Sequence, residues 1–396
     1  MIYRLENAIQ HYAWGSRTAL AELRGAAAPS AEPEAELWMG AHPAAPSRVE
    51  VAGQHTPLPE LIARDPEAML GARSIQRFGS QLPFLLKVLA AATPLSLQAH
   101  PTLEQARAGF SREEAASVAR TAATRNYKDP NHKPELIAAL TPFYALSGFR
   151  ALDETRQLFA ELDVPELAHC LAPLAEREPE RALRGSFERL MSVPAEAQAA
   201  IVDALGAALR IALDRGSEFS PELGWAERLR ALYPGDIGVV SALLLNLVEL
   251  APGQAIYLPA GNLHAYLGGV GVEIMASSDN VLRGGLTHKH VDVSELLRVL
   301  DFSELAVEPL DAHRVSAVES VYATPAAEFR LSRLALDGSA TLDRQDGPEI
   351  VIVTDGSLQL DGCSLTRGMS AFIPASEPNF VVRGFATAFR ASVPLD

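Results

Sequence analysis

Lysine is nearly missing from this chain. Of the 34 lysines and arginines in its 396 residues only four are lysine: Lys87, Lys128, Lys133 and Lys289. Arginine supplies the remaining positive charge, so a retained lysine marks a place where a rigid, always-charged fork cannot replace a compact ammonium of tunable pKa. Drift towards arginine explains the scarcity but not the clustering, because all four lie within residues 81–135 and 253–293. Positive charge is in deficit overall, with a formal net charge of -15. That argues against nucleic acid and an anionic membrane as partners, since both reward a basic face. Cysteine is scarce as well. Cys170 and Cys363 lie far apart in no metal-ligand spacing and read as small buried apolar residues in a reducing compartment. No stretch reaches the ~18 apolar residues of a membrane span. The N-terminus, Met1-Ile-Tyr-Arg-Leu-Glu6, lacks the apolar run of a signal peptide. The expectation is a soluble, cytoplasmic protein.

What is present suffices for real cores: 48% of the residues are hydrophobic, and the length calls for two or three domains. The first 135 residues mix short strand-like runs with turns and some helix, richest in apolar positions at Ile9–Trp14 and Gln81–Gln98. Residues 150–235 read as a helical insertion. There Ile201, Leu205, Leu209 and Leu213 recur on one helical face, and Pro165, Pro173, Pro179, Pro194 and Pro221 punctuate short helices. From Ile237 the texture is β again, with Leu243–Val248 and Gly253–Pro259, and residues 312–396 alternate in short strands. Asp355-Gly356 between Ile350–Val353 and Leu358–Leu360 predicts a hairpin turn.

An internal repeat links the two β regions. Gly253-Gln-Ala-Ile-Tyr-Leu-Pro259-Ala260 matches Gly368-Met-Ser-Ala-Phe-Ile-Pro374-Ala375: a turn glycine, a strand with buried alternation and a terminating proline. Five residues after the proline the first copy has His264 and the second has Asn379. The chain therefore reads as two related β-barrels, of which only the first carries a metal ligand.

Gln98 and His100, two apart on a strand, would project into one cavity, with Ser96 on the same face. A glutamine oxygen and an imidazole nitrogen require an anionic partner, for which Glu135 is the candidate, and His264 would complete two nitrogens and two oxygens. A divalent ion such as Zn²⁺ suits that set.

The spacing Gly253-x5-Pro259-x-Gly261-x2-His264 resembles the second metal motif of the cupin barrels. The likeness narrows with Tyr257-Leu-Pro-Ala-Gly-Asn-Leu-His264-Ala-Tyr266, Ser278-Asp279-Asn280-Val-Leu-Arg283-Gly-Gly-Leu-Thr287, Leu95-Ser96-Leu-Gln98-Ala-His100-Pro101 and Asn131-His-Lys133-Pro-Glu135. Tyr233-Pro-Gly-Asp-Ile-Gly238, Asn7-x2-Gln10-x-Tyr12-x-Trp14-Gly15 and Trp38-Met-Gly40-x-His42-Pro43 add to it. On these motifs the chain resembles the type I mannose-6-phosphate isomerases from residue 5 to about 295.

That resemblance implies a mainly β fold with an α insertion: two cupin-type jelly-roll barrels plus an inserted helical domain. The expected division is 1–149 with 237–311 for the metal-bearing barrel, 150–236 for the insertion and 312–396 for a metal-free barrel. It also implies one Zn²⁺ per chain on Gln98, His100, Glu135 and His264. The reaction would interconvert mannose 6-phosphate and fructose 6-phosphate through a cis-enediol(ate), in mannose activation or mannose catabolism.

Charge develops on oxygen in such a step, so a preplaced cation lowers the barrier most, and Arg283 fits as the fixed positive group. By resemblance, Lys289 and Ser96 take the phosphate, with Lys87 and Lys133 bordering the cavity. Lys128 reads as a solvated loop residue. His132, Asp279, Lys133 and a metal-bound hydroxide are the candidate bases, with the pKa of Lys87 or Lys133 expected to be depressed by neighbouring cations. Tyr266 and Glu273 would orient substrate or ligands. His288 stands where the family carries proline, and Gly268 replaces the asparagine that closes the general cupin motif. The partner would be a small sugar phosphate, and the chain a monomer or weak homo-oligomer. The alternative is a cupin isomerase or binding protein for a different sugar phosphate.

Overall fold

The structure, a computed structural model, describes residues 1–395; Asp396, the last residue of the expected C-terminal unit, lies outside them. The fold is mainly β. Among the described residues 21 strands form two antiparallel sheets, of 11 and 10 strands, accompanied by 12 α-helices.

The 11-stranded sheet is organised by one long strand, His264–Ala276. Its C-terminal half pairs with Phe84–Ala91 and Glu135–Ala139, and its N-terminal half with Leu97–Ala99 and Phe143–Phe149. The change of partners coincides with a register shift between Tyr266 and Gly268. Gly269 there has φ 119°, and a Cβ on it would come within 2.7 Å of the Pro142 carbonyl oxygen. Glycine is what lets one strand serve two parts of the sheet. Phe84–Ala91 and Glu135–Ala139 are buried at every position, as expected of strands covered on both faces.

Residues 152–242 are helical. The longest helix, Ala195–Arg215, buries Ile201, Leu205 and Leu209 of the predicted stripe and leaves its last member, Leu213, half-buried. Pro179 and Pro221 stand in the first turns of Pro179–Met191 and Ser220–Leu232, where a missing N–H costs nothing, and left-handed Gly216 ends the long helix. These helices share one core with the sheet through Leu97, Phe149, Leu243 and Leu263. The return to β comes later than the sequence suggested, since a short helix, Gly238–Ala242, precedes the strand Leu245–Leu250.

The C-terminal sheet corrects two expectations. Asp355-Gly356 is not a hairpin turn. Glu349–Leu360 is one continuous strand with a register shift between Val353 and Asp355, and Gly356 (φ 75°) pairs with Ala386 just beyond that bulge. The turn falls at the next Asp-Gly pair: Asp361 and Gly362 both have positive φ, and Leu360 faces Cys363 across a two-residue connection. Secondly, Tyr3–Glu6 pairs with Ser370–Ile373 and with Arg48–Val51, so N-terminal strands extend the C-terminal sheet. The two copies of the repeat are the strands Gln254–Leu258 and Ser370–Ile373, one in each sheet, each preceded by a positive-φ glycine. Asn379, which stands where the first copy has His264, accepts at Oδ1 from the Arg344 backbone N–H at 2.9 Å.

Candidate metal centre

The short strand Leu97–Ala99 lies between two others, and Gln98 faces His264 on one side and Arg283 on the other. Residues directly opposite in an antiparallel pair share a face. Register alone therefore gathers Gln98, His264 and Arg283, and alternation brings His100 to the same side. Glu135 enters from the neighbouring strand, opposite Met275 and Leu258.

His100, Glu135 and His264 are all buried, and one potential ligand atom from each lies within 4.8 Å of the others. Glu135 Oε1 is 3.3 Å from His100 Nε2, and its Oε2 is 3.5 Å from His264 Nε2. Each imidazole is oriented by its other nitrogen. His100 Nδ1 is 2.7 Å from the Asn280 carbonyl, and His264 Nδ1 is 3.0 Å from the Asn262 carbonyl. With Nδ1 donating, each Nε2 is a bare acceptor turned inward, the arrangement a metal-binding histidine needs. Those two Nε2 atoms and Glu135 Oε2 are buried without a hydrogen-bond partner. Three orphaned acceptors converging on one point are costly unless a cation satisfies them, so the donor set fits a divalent metal. The Gly261 N–H donates to the His100 carbonyl at 2.8 Å, and its φ of 80° explains the glycine between Pro259 and His264.

Protonation states agree with that use. Burial pushes His100 down to about 4, so the ring is neutral. Burial alone would raise Glu135, but the Lys133 ammonium, 2.9 Å from Oε1, holds it well below the usual carboxylate range.

Next to the ligands lies a buried charged group. Lys87 Nζ is 3.0 Å from Glu273 Oε2 and 3.6 Å from Glu36 Oε1, with the Trp38 ring centroid at 5.4 Å. The expected depression of Lys87 is overturned. Burial does lower it, but Glu273, Glu36 and Glu135 outweigh burial and raise it above the ordinary lysine value. Glu273 is raised by its own burial, against the opposing pull of Lys87. Tyr266 is buried, and its hydroxyl is without a hydrogen-bond partner.

Arg283 is half-buried and Ser96 likewise, while Lys289 is exposed. Asp279 Oδ1 is 3.4 Å from His42 Nε2, and that contact lowers the Asp279 carboxyl. His132 is drawn elsewhere, its Nε2 lying 2.7 Å from Glu328 Oε1 in the chain just before the strand Arg330–Leu342. Three residues near the centre had no assigned role in the sequence reading: Glu36, His42 and Asn280. Each stood inside or beside a motif already noted, and an acidic residue in the fully buried strand Glu36–Met39 was the available signal. Asn280 is entirely buried and connects His100 to the 128–131 loop.

The family model for the type I phosphomannose isomerase catalytic domain matches residues 2–152. A mannose-6-phosphate isomerase from Escherichia coli K12 is 42% identical over 390 residues, covering 96% of this chain and 97% of its own. One from Rattus norvegicus is 33% identical over 411 residues, covering 95% and 94%. A crystal structure of a phosphomannose isomerase mutant from Salmonella typhimurium superposes with TM-score 0.89 at 38% identity, covering 99% of each chain. A zinc-bound mannose 6-phosphate isomerase does so with TM-score 0.88 at 38% identity and the same coverage.

Proposed function

This chain belongs to the mannose-6-phosphate isomerase family, and from that premise we propose that it interconverts mannose 6-phosphate and fructose 6-phosphate. The observation that carries the reading is the trio of buried, unpartnered ligand atoms on His100, Glu135 and His264 beside Arg283. Gln98, in register with His264, is the proposed fourth ligand, and the ion is Zn²⁺. When bound, that ion supplies Lewis-acid polarisation of the substrate's carbonyl and hydroxyl oxygens.

The chain's own groups do the rest. Among the described residues Arg283 has no salt-bridge partner, and its half-buried guanidinium is a fixed positive charge for an enediolate oxygen. Lys133, Asp279 and His132 remain the candidates for moving the proton between C2 and C1. All three are engaged, Asp279 with His42, His132 with Glu328 and Lys133 with Glu135, and a metal-bound hydroxide is the fourth candidate. Lys133, two residues from Glu135, is the one whose side chain reaches the centre itself. Lys87, Glu273 and Glu36 hold a rigid buried charge array beside it, and Tyr266 offers a hydroxyl to substrate. Lys289 and Ser96 take the phosphate.

The finer architecture belongs to the same proposal. Two jelly-roll barrels, divided near residues 149, 237 and 312 with a helical insertion, are supported by the repeated strands, one in each sheet. No helix among the described residues is long and apolar enough to cross a membrane. Cysteines 170 and 363 are free, which suits the proposed cytoplasmic location. The self-association state is proposed as monomeric or weak.

Isomerisation in D2O tests the reaction type. Fructose 6-phosphate should form from mannose 6-phosphate with solvent deuterium at C1, detected by NMR. Product with no deuterium and no loss of the C2 proton label would point to direct hydride transfer and sink the enediol route.

A further inference from the structure

Most buried or half-buried arginines in this fold have a carboxylate partner; Arg24, Arg125, Arg150, Arg344 and Arg390 have one at 2.6–3.1 Å. Three cations depart from this and occur together. Among the described residues Arg283, Lys289 and Lys128 form no salt bridge, and their side chains form no hydrogen bond.

Their proximity follows from how two chain segments are fastened. Segment 126–131 is clamped to segment 278–292 at both ends. At one end Asn126 Nδ2 donates to Asp292 Oδ2 at 2.9 Å. At the other, the Lys128 and Asp129 N–H groups donate to Asn280 Oδ1 at 2.7 and 3.3 Å, and Asn280 Nδ2 donates to the Asp129 and Asn131 carbonyls at 2.8 Å. Asp129 in turn accepts from the Asp279 N–H at 2.8 Å and from Ser278 Oγ at 2.9 Å. Lys128 stands at the Asn280 clamp on one segment. Arg283 and Lys289 lie between the Asn280 and Asp292 clamps on the other. Asn280 also holds His100, so the platform is built into the metal centre.

Burial, Arg283 and Lys128 together lower the pKa of Lys289, as expected where like charges face one another. The carboxylate that Lys128 also influences, Asp279, is itself occupied by His42 at 3.4 Å. In a chain of net charge -15, three neighbouring cations with no salt-bridge partner among the described residues make an anion site, even though Lys128 also acts on the Asp279 carboxylate.

Resting on the isomerase reading above, we propose that Lys128 is a second phosphate-binding cation, acting with Lys289 to receive the dianionic phosphate of the substrate and to set the preference for phosphorylated over free sugar, while Arg283 serves the enediolate oxygen. This revises the sequence-based view of Lys128 as a solvated loop residue. Its side chain is exposed, but its backbone is fixed to the centre.

The test uses zinc-loaded protein and the variants Lys128→Gln and Lys128→Arg. KM for mannose 6-phosphate and the inhibition constant for inorganic phosphate are measured at low salt and at high salt. Lys128→Gln should raise both constants about three- to tenfold at low salt, the size expected for losing one charge-assisted contact at an exposed site. Lys128→Arg should bring both back to within about twofold of wild type, because the charge is retained. High salt should shrink the difference, since exposed charges are screened. Constants for Lys128→Gln within about twofold of wild type at low salt would overturn the proposal. If wild-type protein does not turn over mannose 6-phosphate, the isomerase reading fails by itself. Calorimetric titration of inorganic phosphate into the zinc-loaded wild type and Lys128→Gln then still decides the role of Lys128: weaker binding by the variant supports it and equal affinity overturns it.

Discussion

Replacing Glu135 by glutamine keeps the shape of the side chain and removes its charge. In the structure that charge faces the Lys133 ammonium at 2.9 Å, and both residues are buried. At an effective dielectric of about 20 the attraction at this distance is about 6 kcal/mol before the cost of desolvating the ions is subtracted. Removing one member of a buried pair leaves the other uncompensated, which typically costs about 3–5 kcal/mol. The metal-free Glu135→Gln protein should therefore be less stable than wild type by that amount in urea unfolding at pH 7. Lys133→Met combined with Glu135→Gln should recover most of the loss, because the orphaned ammonium is gone.

The pH dependence has a definite sign. Glu135 is held below its unfolded value of about 4.3, so its contribution is fully present above that pH and fades as pH falls towards the folded value. The gap between wild type and Glu135→Gln should narrow on acidification below about pH 4. A single variant within about 1 kcal/mol of wild type, or a double variant no more stable than the single, would refute the electrostatic argument.

Arg283→Lys keeps a positive charge but loses the planar fork, and kcat should fall by about 10²–10³ in a coupled isomerase assay if the guanidinium stabilises an enediolate oxygen. A fall below about fivefold would show that charge alone suffices. Asn280→Ala removes the side-chain acceptor for two backbone N–H groups and the donor to two carbonyls, all at a fully buried position. It should cost about 2–4 kcal/mol by thermal unfolding but change metal affinity little, because His100 is held by the Asn280 backbone carbonyl, which alanine keeps; a stability loss below about 1 kcal/mol would remove the Asn280 side chain from the account. His288→Pro should leave turnover nearly intact, and a loss above about tenfold would show that the imidazole takes part in catalysis.

The residues of the candidate metal site were legible because they sit in short motifs whose chemistry is local: an i, i+2 pair on a strand, a histidine after a glycine turn, a glutamate after proline. The helical stripe at Ile201, Leu205 and Leu209 was legible for the same reason. What escaped depends on pairing between distant segments. Nothing in the sequence places Gln98 between His264 and Arg283, since that follows from strand register. The sign of the Lys87 shift was misjudged because the deciding carboxylates, Glu36 and Glu273, come from two other strands. Asp355-Gly356 carried the composition of a hairpin turn. Yet Asp361-Gly362, six residues on, also had it, and cross-strand register decided which pair would turn and which would bulge. The addition of Tyr3–Glu6 to the C-terminal sheet is likewise a tertiary choice with no local signature.

The central claim is that the buried His100–Glu135–His264 group, with Gln98, holds the zinc on which sugar-phosphate isomerisation depends. The most direct test measures conversion of mannose 6-phosphate to fructose 6-phosphate together with bound zinc, before chelation, after chelation and after zinc is restored. The account predicts that activity vanishes with the metal and returns with about one zinc per chain. Full turnover in metal-free protein, or no turnover in fully metallated protein, would contradict it.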